Sequence, residues 1–547
     1  MHFSTLRSLR LSIILGSFFC VLLLASGRTS LSQQKSANPD PGRLPSADRV
    51  VGDYLKVLGG KKRVSAIRDA TYEWTSRQQA DGTSGIARTE LSSPSSLRMT
   101  IRVDKSERQT GVSPSSVWQK RDDGTVHTIT GKPAADSRLR ALLLATRFVN
   151  YSKYNVLARV TGVEPAAGSP QFIVEFSMRN GARVRAWFDA SSKLLMKIED
   201  GSSLDSIVFG EYKVENGIQE PHRTEIESKD SERVVLTLQR VTRNTGLTAA
   251  TFDPPAPERP IDLTALIHDL QVNQGRIDER VSDYYYTQKE TQRDINDKGE
   301  LKKETVKVYE VFPVPGRQSV LKLVSENGVP LSPERAEKEQ KRVGEELEKA
   351  ERDRAKDKEK RDRRAQEKDD AKKDDDRGPN ISTFLRACDL VSPRTEMLGN
   401  RRVEVLDFRP KPGFRPATRE ESIVSKLIGI VWIDPIDKVV MRLEARFAEG
   451  FKVGGGLVLS LKPGAAFVLE QTRLDDGVWL PKFAQANLSY KLFLLGGGNV
   501  NATYEWSDYH RIKTEAKDYK LDAPSEPKPS EAKPGDPTEG AKPKPKP

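Results

Sequence analysis

The stretch WFDASSKLLMKIE at Trp187–Glu199 aligns without a gap on WIDPIDKVVMRLE at Trp432–Glu444. Each reads as strand, tight turn, strand. The Asp of each copy (Asp189, Asp434) can hydrogen-bond the turn backbone, and the Lys (Lys193, Lys438) falls where the chain reverses. Downstream, YKVENGIQEP at 212–221 resembles TRLDDGVWLP at 472–481. Asn-Gly and Asp-Gly favour hairpins because both central positions of that turn take positive φ. The proline at the same offset fits the start of an edge strand. Two matched blocks in the same order predict one module written twice.

Outward from the first block, the apolar period is two. Strands are expected at Ala70–Arg77, Ile86–Leu91, Ser96–Val103, Ser116–Arg121 and Thr125–Thr130, with turn pairs such as Asp81-Gly82 and Asp123-Gly124 between them. More strands follow from Gln171 to Val241, after a helix over Asp136–Val149. Ahead of the strands, Val50, Val51, Tyr54, Leu55 and Leu58 recur at helical spacing, and Gly59-Gly60 stops that helix. The second half repeats the plan. A helix over Leu263–Val281 leads into strands at Tyr284–Arg293, Leu301–Pro313 and Gln318–Glu326, then from Arg402 to Tyr504. The fold class is therefore α+β: two tandem half-open antiparallel β-barrels with helices on the concave face, plus a charged insertion.

Residues 1–27 read as a cleaved signal peptide: Arg7 and Arg10, an apolar run from Leu11 to Leu24, then the small residues Ala25 and Gly27. The run is short for a membrane span, which needs about 20 apolar residues. The remaining boundaries are a flexible lead-in at 28–46, a first module at 47–253, a Pro-rich linker at 254–260, a second module at 261–515 and a Pro/Lys/Glu-rich disordered tail at 516–547. The insertion, 333–378, is the most biased segment. Glu334–Arg377 holds 17 basic and 17 acidic residues, many at i, i+4 spacing, and reads either as a solvated helix or as a disordered loop.

The net charge of +12 is dispersed, and export argues against nucleic acid as a partner. Anionic headgroups or cell-wall polymers suit it better, with the protein peripheral to a membrane at most. Cleavage leaves Cys388 alone, so no internal disulfide forms; it reads as a buried small hydrophobe.

Catalytic signals are poor. His127, His222, His268 and His510 have no metal-ligand spacing, so metal and cofactor are both expected to be none. There is no Gly-x-Ser-x-Gly elbow and no phosphate loop. Gly454–Gly456 and Gly496–Gly498 read as loop or bulge glycines. Tyr284-Tyr285-Tyr286 reads as sheet packing. What remains is a bent sheet enclosing an apolar groove. Trp187, Phe188, Trp432, Ile433, Val439 and Met441 are its candidate lining. Half of them should face inward. They line a groove if the helices leave a gap and form ordinary core if they do not.

The helix ending Tyr54-Leu55-Lys56-Val57-Leu58-Gly59-Gly60, followed by many strands and the Trp-Phe-Asp or Trp-Ile-Asp hairpin, resembles the periplasmic lipoprotein-carrier superfamily. That superfamily comprises LolA/LolB-like half-barrels, including outer-membrane lipoprotein-sorting-type proteins and the RseB-related envelope-stress regulators. The resemblance covers most of 47–253 and, more weakly, 261–515. It implies an unclosed β-barrel with a helical lid over an apolar cavity, carrying acyl chains or sensing lipid and protein partners, without metal or bond chemistry. The single-module carriers hold a buried Arg that helps close the lid; no position here maps onto it. The expected function is thus a non-catalytic periplasmic carrier or sensor of lipid or acylated protein. The alternative is an envelope scaffold with filled cores.

Overall fold

The computed structural model describes residues 44–166, 168–228, 231–257, 261–280, 283–296, 301–314, 319–365, 386–447, 451–453, 459–461, 465–492 and 496–512. The signal peptide, most of the lead-in, the tail, residues 366–378 of the insertion and Gly454–Gly456 lie outside them.

Alternation of apolar and polar residues builds a first antiparallel sheet of thirteen strands. Six come before a crossover helix: β1 (Asp69–Gln78), β2 (Ser84–Ser92), β3 (Ser96–Val103), β4 (Ser106–Val112), β5 (Val117–Lys120) and β6 (Val126–Ile129). Seven follow it: β7 (Leu157–Glu164), β8 (Gln171–Ser177), β9 (Arg183–Asp189), β10 (Leu195–Asp200), β11 (Ser206–Glu215), β12 (Ile218–Ser228) and β13 (Ser231–Arg243). The order is β6-β5-β4-β3-β2-β1-β13-β12-β11-β10-β9-β8-β7, so the first strand pairs with the last and the wings run outward from that seam.

Helix α1 (Ala47–Leu58) precedes the sheet, capped by the Ser46 hydroxyl on Arg49 N–H. It ends at Gly59, where φ is +139° and a Cβ would stand 2.5 Å from Gly217 O, a position only glycine fills. A short α2 (Lys61–Ser65) follows. The crossover helix α3 (Gly131–Ala145) touches β2 to β5 and also β9 and β10. On a flat sheet β5 and β9 would lie nine spacings apart, roughly 43 Å. The helix is only about 22 Å long. The sheet therefore bends around α3, and among the described residues no pairing joins β6 to β7. The structure is an open, bent sheet with helices inside.

The second sheet starts after α4 (Leu263–Arg280). Its strands are β14 (Tyr284–Ile295), β15 (Leu301–Phe312), β16 (Val320–Glu326) and β17 (Val329–Pro330). Helix α5 (Pro333–Ala365) then intervenes, followed by β18 (Cys388–Leu398) and β19 (Arg401–Pro410). After α6 (Arg419–Val424) come β20 (Leu427–Asp434), β21 (Val439–Phe447), β22 (Phe451–Val453), β23 (Leu459–Leu461), β24 (Ala466–Arg473), β25 (Trp479–Leu492) and β26 (Gly496–Arg511). The order β17-β16-β15-β14-β26-β25-β24-β21-β20-β19-β18, with β22 and β23 off that path, again pairs first strand with last.

Several expectations are corrected. Strands β4, β7 and β18 were not expected, because Ser106–Val112 and its like lack a sustained apolar alternation and owe their strand state to neighbours. Gly496–Gly498 are not loop glycines but pair with Tyr490, Lys491 and Leu492 in β26. Pro221 and Pro481 stand in interior strands, not at the start of edge strands. Each falls where only one flank is laddered: Pro221 opposite Tyr212, ahead of the β12–β13 pairing that starts at Arg223, and Pro481 opposite Gln471, ahead of the β25–β26 pairing that starts at Phe483. The missing N–H thus costs no ladder bond. Asn216 and Gly217 both take positive φ, 50° and 76°, whereas in the second copy only Gly477 does, at 83°. The loop there is one residue longer: Glu215 faces Ile218 across two residues, but Leu474 N–H bonds Val478 O across three.

The sheets meet edge to edge, β6 against β18. Arg394, 2% exposed, donates to Glu396 (2.8 Å), to Asp407 (2.9 Å) and to Thr128 of the first sheet (2.6 Å). Thr128 N–H in turn donates to Glu396 (2.8 Å), and the Ser116 hydroxyl to Asp407 (2.6 Å). Burial pushes the Asp407 carboxyl up, opposed by Arg394.

Candidate functional site

The two Trp hairpins have one geometry. Asp189 Oδ1 accepts from the N–H of Ser191 (3.0 Å) and Ser192 (2.6 Å); Asp434 Oδ1 accepts from Ile436 (2.8 Å) and Asp437 (2.9 Å). Lys193 and Lys438 both close their turns in the left-handed region, at φ 63° and 53°. Phe188 faces Leu195 and Trp187 faces Lys197; Ile433 faces Val440 and Trp432 faces Arg442. The bulge thus falls on Met196 in one copy and Met441 in the other. A cation covers each indole: Lys197 Nζ lies 4.7 Å from the Trp187 ring centre, and the Arg442 guanidinium 5.5 Å from that of Trp432.

This geometry splits the six candidates. Phe188 and Ile433 point to the helix side, against Tyr54 and Phe148 and against Leu266 and Leu270 respectively. Trp187, Trp432, Val439 and Met441 lie on the opposite face. Trp187 donates to Glu164 (2.6 Å), while Trp432, Val439 and Met441 pack with Val403, Val405, Ile430 and Trp479. Four of the six are therefore outer-face packing, and no single groove unites them. Alternation along each strand made the split expected, but it did not say which half faces in.

Inside the first module the space is packed. Rings of Tyr54, Phe148, Phe176, Phe188 and Tyr151 stand 5.3–5.7 Å apart, and α3 buries Leu139, Leu142 and Leu143 among them. Asp136, fully buried, ties α3 to β9 by accepting from Arg183 N–H (2.7 Å). A polar network is also sunk in this core. Arg147, just past α3, donates to Tyr72 OH (2.9 Å); Tyr72 OH donates to Glu220 (3.0 Å), which Arg243 also reaches at 2.6 Å. Burial raises the Tyr72 phenol above its ordinary range. The sequence reading missed Arg147. Its signal is weak: an Arg directly after an apolar helix, held at φ 50°.

The inner face of the second module is different. Its cross-strand rows are Leu443–Leu469–Ala484–Tyr504 and Gly429–Ala445–Phe467–Ala486–Ala502. Ala445, Ala484, Ala486 and Ala502 make a floor of small side chains. Beside it Tyr309, Leu321, Phe467 and Leu469 stay half-buried. α6 covers one end through Val424. Where the first chain half places the apolar α3, the second places α5. Its start is anchored: Val343 is fully buried, Arg342 donates to Leu321 O (2.5 Å), and Glu339 accepts from Leu323 N–H (2.9 Å). The insertion is thus helical over 333–365, and among the described residues it packs on β16. Among the described residues, the first module has one contiguous apolar core and the second has five separate clusters.

No group of three or more His, Cys, Asp or Glu arranged to hold a metal ion occurs among the described residues. His127 lies 3.8 Å from Glu396 and His222 3.0 Å from Glu215. Cys388 is buried under Val424 O, and burial pushes its thiol up to about 12. Tyr284 and Tyr286 face in and Tyr285 faces out. No described helix is long and apolar enough to cross a membrane.

No family model matches the sequence, and no curated relative does. The chain is similar to several solved structures. A LolA superfamily protein from Nitrosomonas europaea is 14% identical with a TM-score of 0.27; the match spans 39% of this chain and 99% of that one. A DUF1329 family protein from Desulfovibrio piger is 14% identical with a TM-score of 0.26, spanning 38% and 96%. MucB is 8% identical with a TM-score of 0.17, spanning 84% and 94%. At such scores these likenesses carry no weight for what the chain binds.

Proposed function

We propose that this chain is an exported, non-catalytic binding protein of a bacterial envelope, a tandem repeat of one bent-sheet module, whose second module shelters acyl chains of a lipid or an acylated protein. The observation that carries this reading is the second inner face. Half-buried Tyr309, Leu321 and Leu469 flank an alanine floor, whereas in the first module the apolar α3 is buried against β2–β5, β9 and β10. Apolar surface left wet is costly. A ligand chain that covers it gains about 0.8 kcal/mol per buried CH₂, so a chain of ordinary length binds usefully. The candidate lining thereby moves from the Trp hairpins to β14–β16 and β24–β26. The leader-like N-terminus supports export to the periplasm.

The packed first core favours a second reading, an envelope scaffold that engages protein partners with no lipid. Native mass spectrometry of the mature protein purified from cells separates the two. The carrier reading expects stoichiometric co-purified lipid, lost in Leu469→Asp and kept in a variant of exposed Ile436. No lipid in the wild-type protein sinks it.

A further inference from the structure

We propose that the crevice where the two modules meet at Ser113–Ser116 is a binding site for a phosphate-class oxyanion, held between Arg138 of the first module and Arg446 of the second. Two guanidinium groups converge there on one short loop. Arg138 donates to Ser113 O (3.3 Å) and Ser115 O (2.7 Å); Arg446 donates to Pro114 O, between them. These three successive carbonyls are the only hydrogen-bond partners of the two side chains among the described residues. Arg446 Nε is buried with no partner among the described residues.

The neighbouring carboxylates are already engaged. Asp407 and Glu444 are the acidic groups that act on Arg138. Asp407 takes hydrogen bonds from Arg394 and Ser116, and Glu444 takes Arg442. Arg394, in the same interface, shows a satisfied buried arginine, with every nitrogen bonded to Glu396, Asp407, Thr128 or Ser392 O. Arg138 and Arg446 lack that. Burial, and the charge of Arg138 beside it, hold the Arg446 guanidinium well below its usual range, the state a counter-anion relieves. Both residues remain partly exposed. A tetrahedral oxyanion with several acceptor oxygens matches the N–H donors that the three carbonyls leave over on an arginine pair. It would also bridge the modules, one arginine coming from each. This site is separate from the apolar floor of the second module, and either stands without the other.

The test is titration of the mature protein in chloride buffer at fixed ionic strength, by calorimetry, with inorganic phosphate and glycerol 3-phosphate. Sedimentation with phosphatidylglycerol vesicles runs in parallel. Binding is expected in at least one arm, weakened about tenfold or more by Arg446→Gln and by Arg138→Gln. It should be unchanged by Arg402→Gln, whose side chain is 70% exposed away from the crevice. Should Arg446→Gln not fold, Arg446→Lys keeps the charge but loses the fork, and weaker binding is again expected. Arginine-dependent binding of vesicles alone assigns a lipid headgroup; of the soluble phosphates alone, a free anion. No binding in any arm, or equal binding by wild type and the arginine variants, overturns the proposal.

Discussion

The two inner faces teach the main lesson. Both sheets pair first strand with last, and both carry the same Trp-x-Asp turn with the same bulge. Yet one is plugged by α3, whose Leu139 and Leu143 are at most 1% exposed, and the other is left with a charged helix on its rim. A shared scaffold thus does not imply a shared filling. A crossover segment rich in Leu seeks the interior; one with 17 basic and 17 acidic residues cannot, because burying each unpaired charge costs far more than any contact returns.

The comparison can be broken at the seam where the modules join. Arg394→Ala strands Glu396 and Asp407 in a dry interface, and a loss of about 3–5 kcal/mol is expected. Denaturant unfolding should then split into two transitions; a single unchanged transition would show that the seam is not what couples the modules. Next in size, Leu143→Ala should cost about 3 kcal/mol, the usual price of a core cavity. Leu321→Ala should cost about 1 kcal/mol or less, because that side chain is already half wet. Equal losses at the two positions would mean that the inner faces are equally filled.

Asp200 sharpens the contrast by pH. Burial raises its carboxyl to about 6 against the pull of Arg140. A carboxyl raised in the fold binds its proton more tightly there than in the unfolded chain. Its contribution therefore favours folding at low pH and declines as pH climbs from about 4 to about 6, by roughly 3 kcal/mol in full. Asp200→Asn should flatten the stability profile across that window, read from urea unfolding at stepped pH. The smallest effect tests sameness. Lys193→Gly and Lys438→Gly each relieve a left-handed lysine and should stabilise by about 1 kcal/mol. Matching gains are expected if the hairpins are true equivalents; opposite signs would deny it.

Much of the scaffold was legible. The Trp hairpins, the Asn216-Gly217 turn and the helix starting at Ala47 follow from local rules, because turn chemistry and apolar period act over a few residues. Strands β4, β7 and β18 were hidden, since segments without a sustained apolar alternation become strand only when a neighbour supplies the ladder. The candidate site was the least legible part. Trp187 and Trp432 looked like groove lining because they are large and apolar, but a cation and an outer-face position claim each of them. Arg147 and Arg394, both buried, follow no local pattern; their partners lie 73 and 75 residues away for Arg147–Glu220 and Arg147–Tyr72, and 266 for Arg394–Thr128.

Sequence by itself determined the repeat of the hairpin, the alternation that makes each sheet two-faced, and the impossibility of burying the charged insertion. Only the tertiary structure decided which face of each strand looks inward, which module is filled, and that two arginines from distant parts of the chain meet over one loop. The reason is range. Turn propensity and periodicity are set by neighbours in the chain, whereas burial and unmatched charge are set by whatever the fold brings alongside.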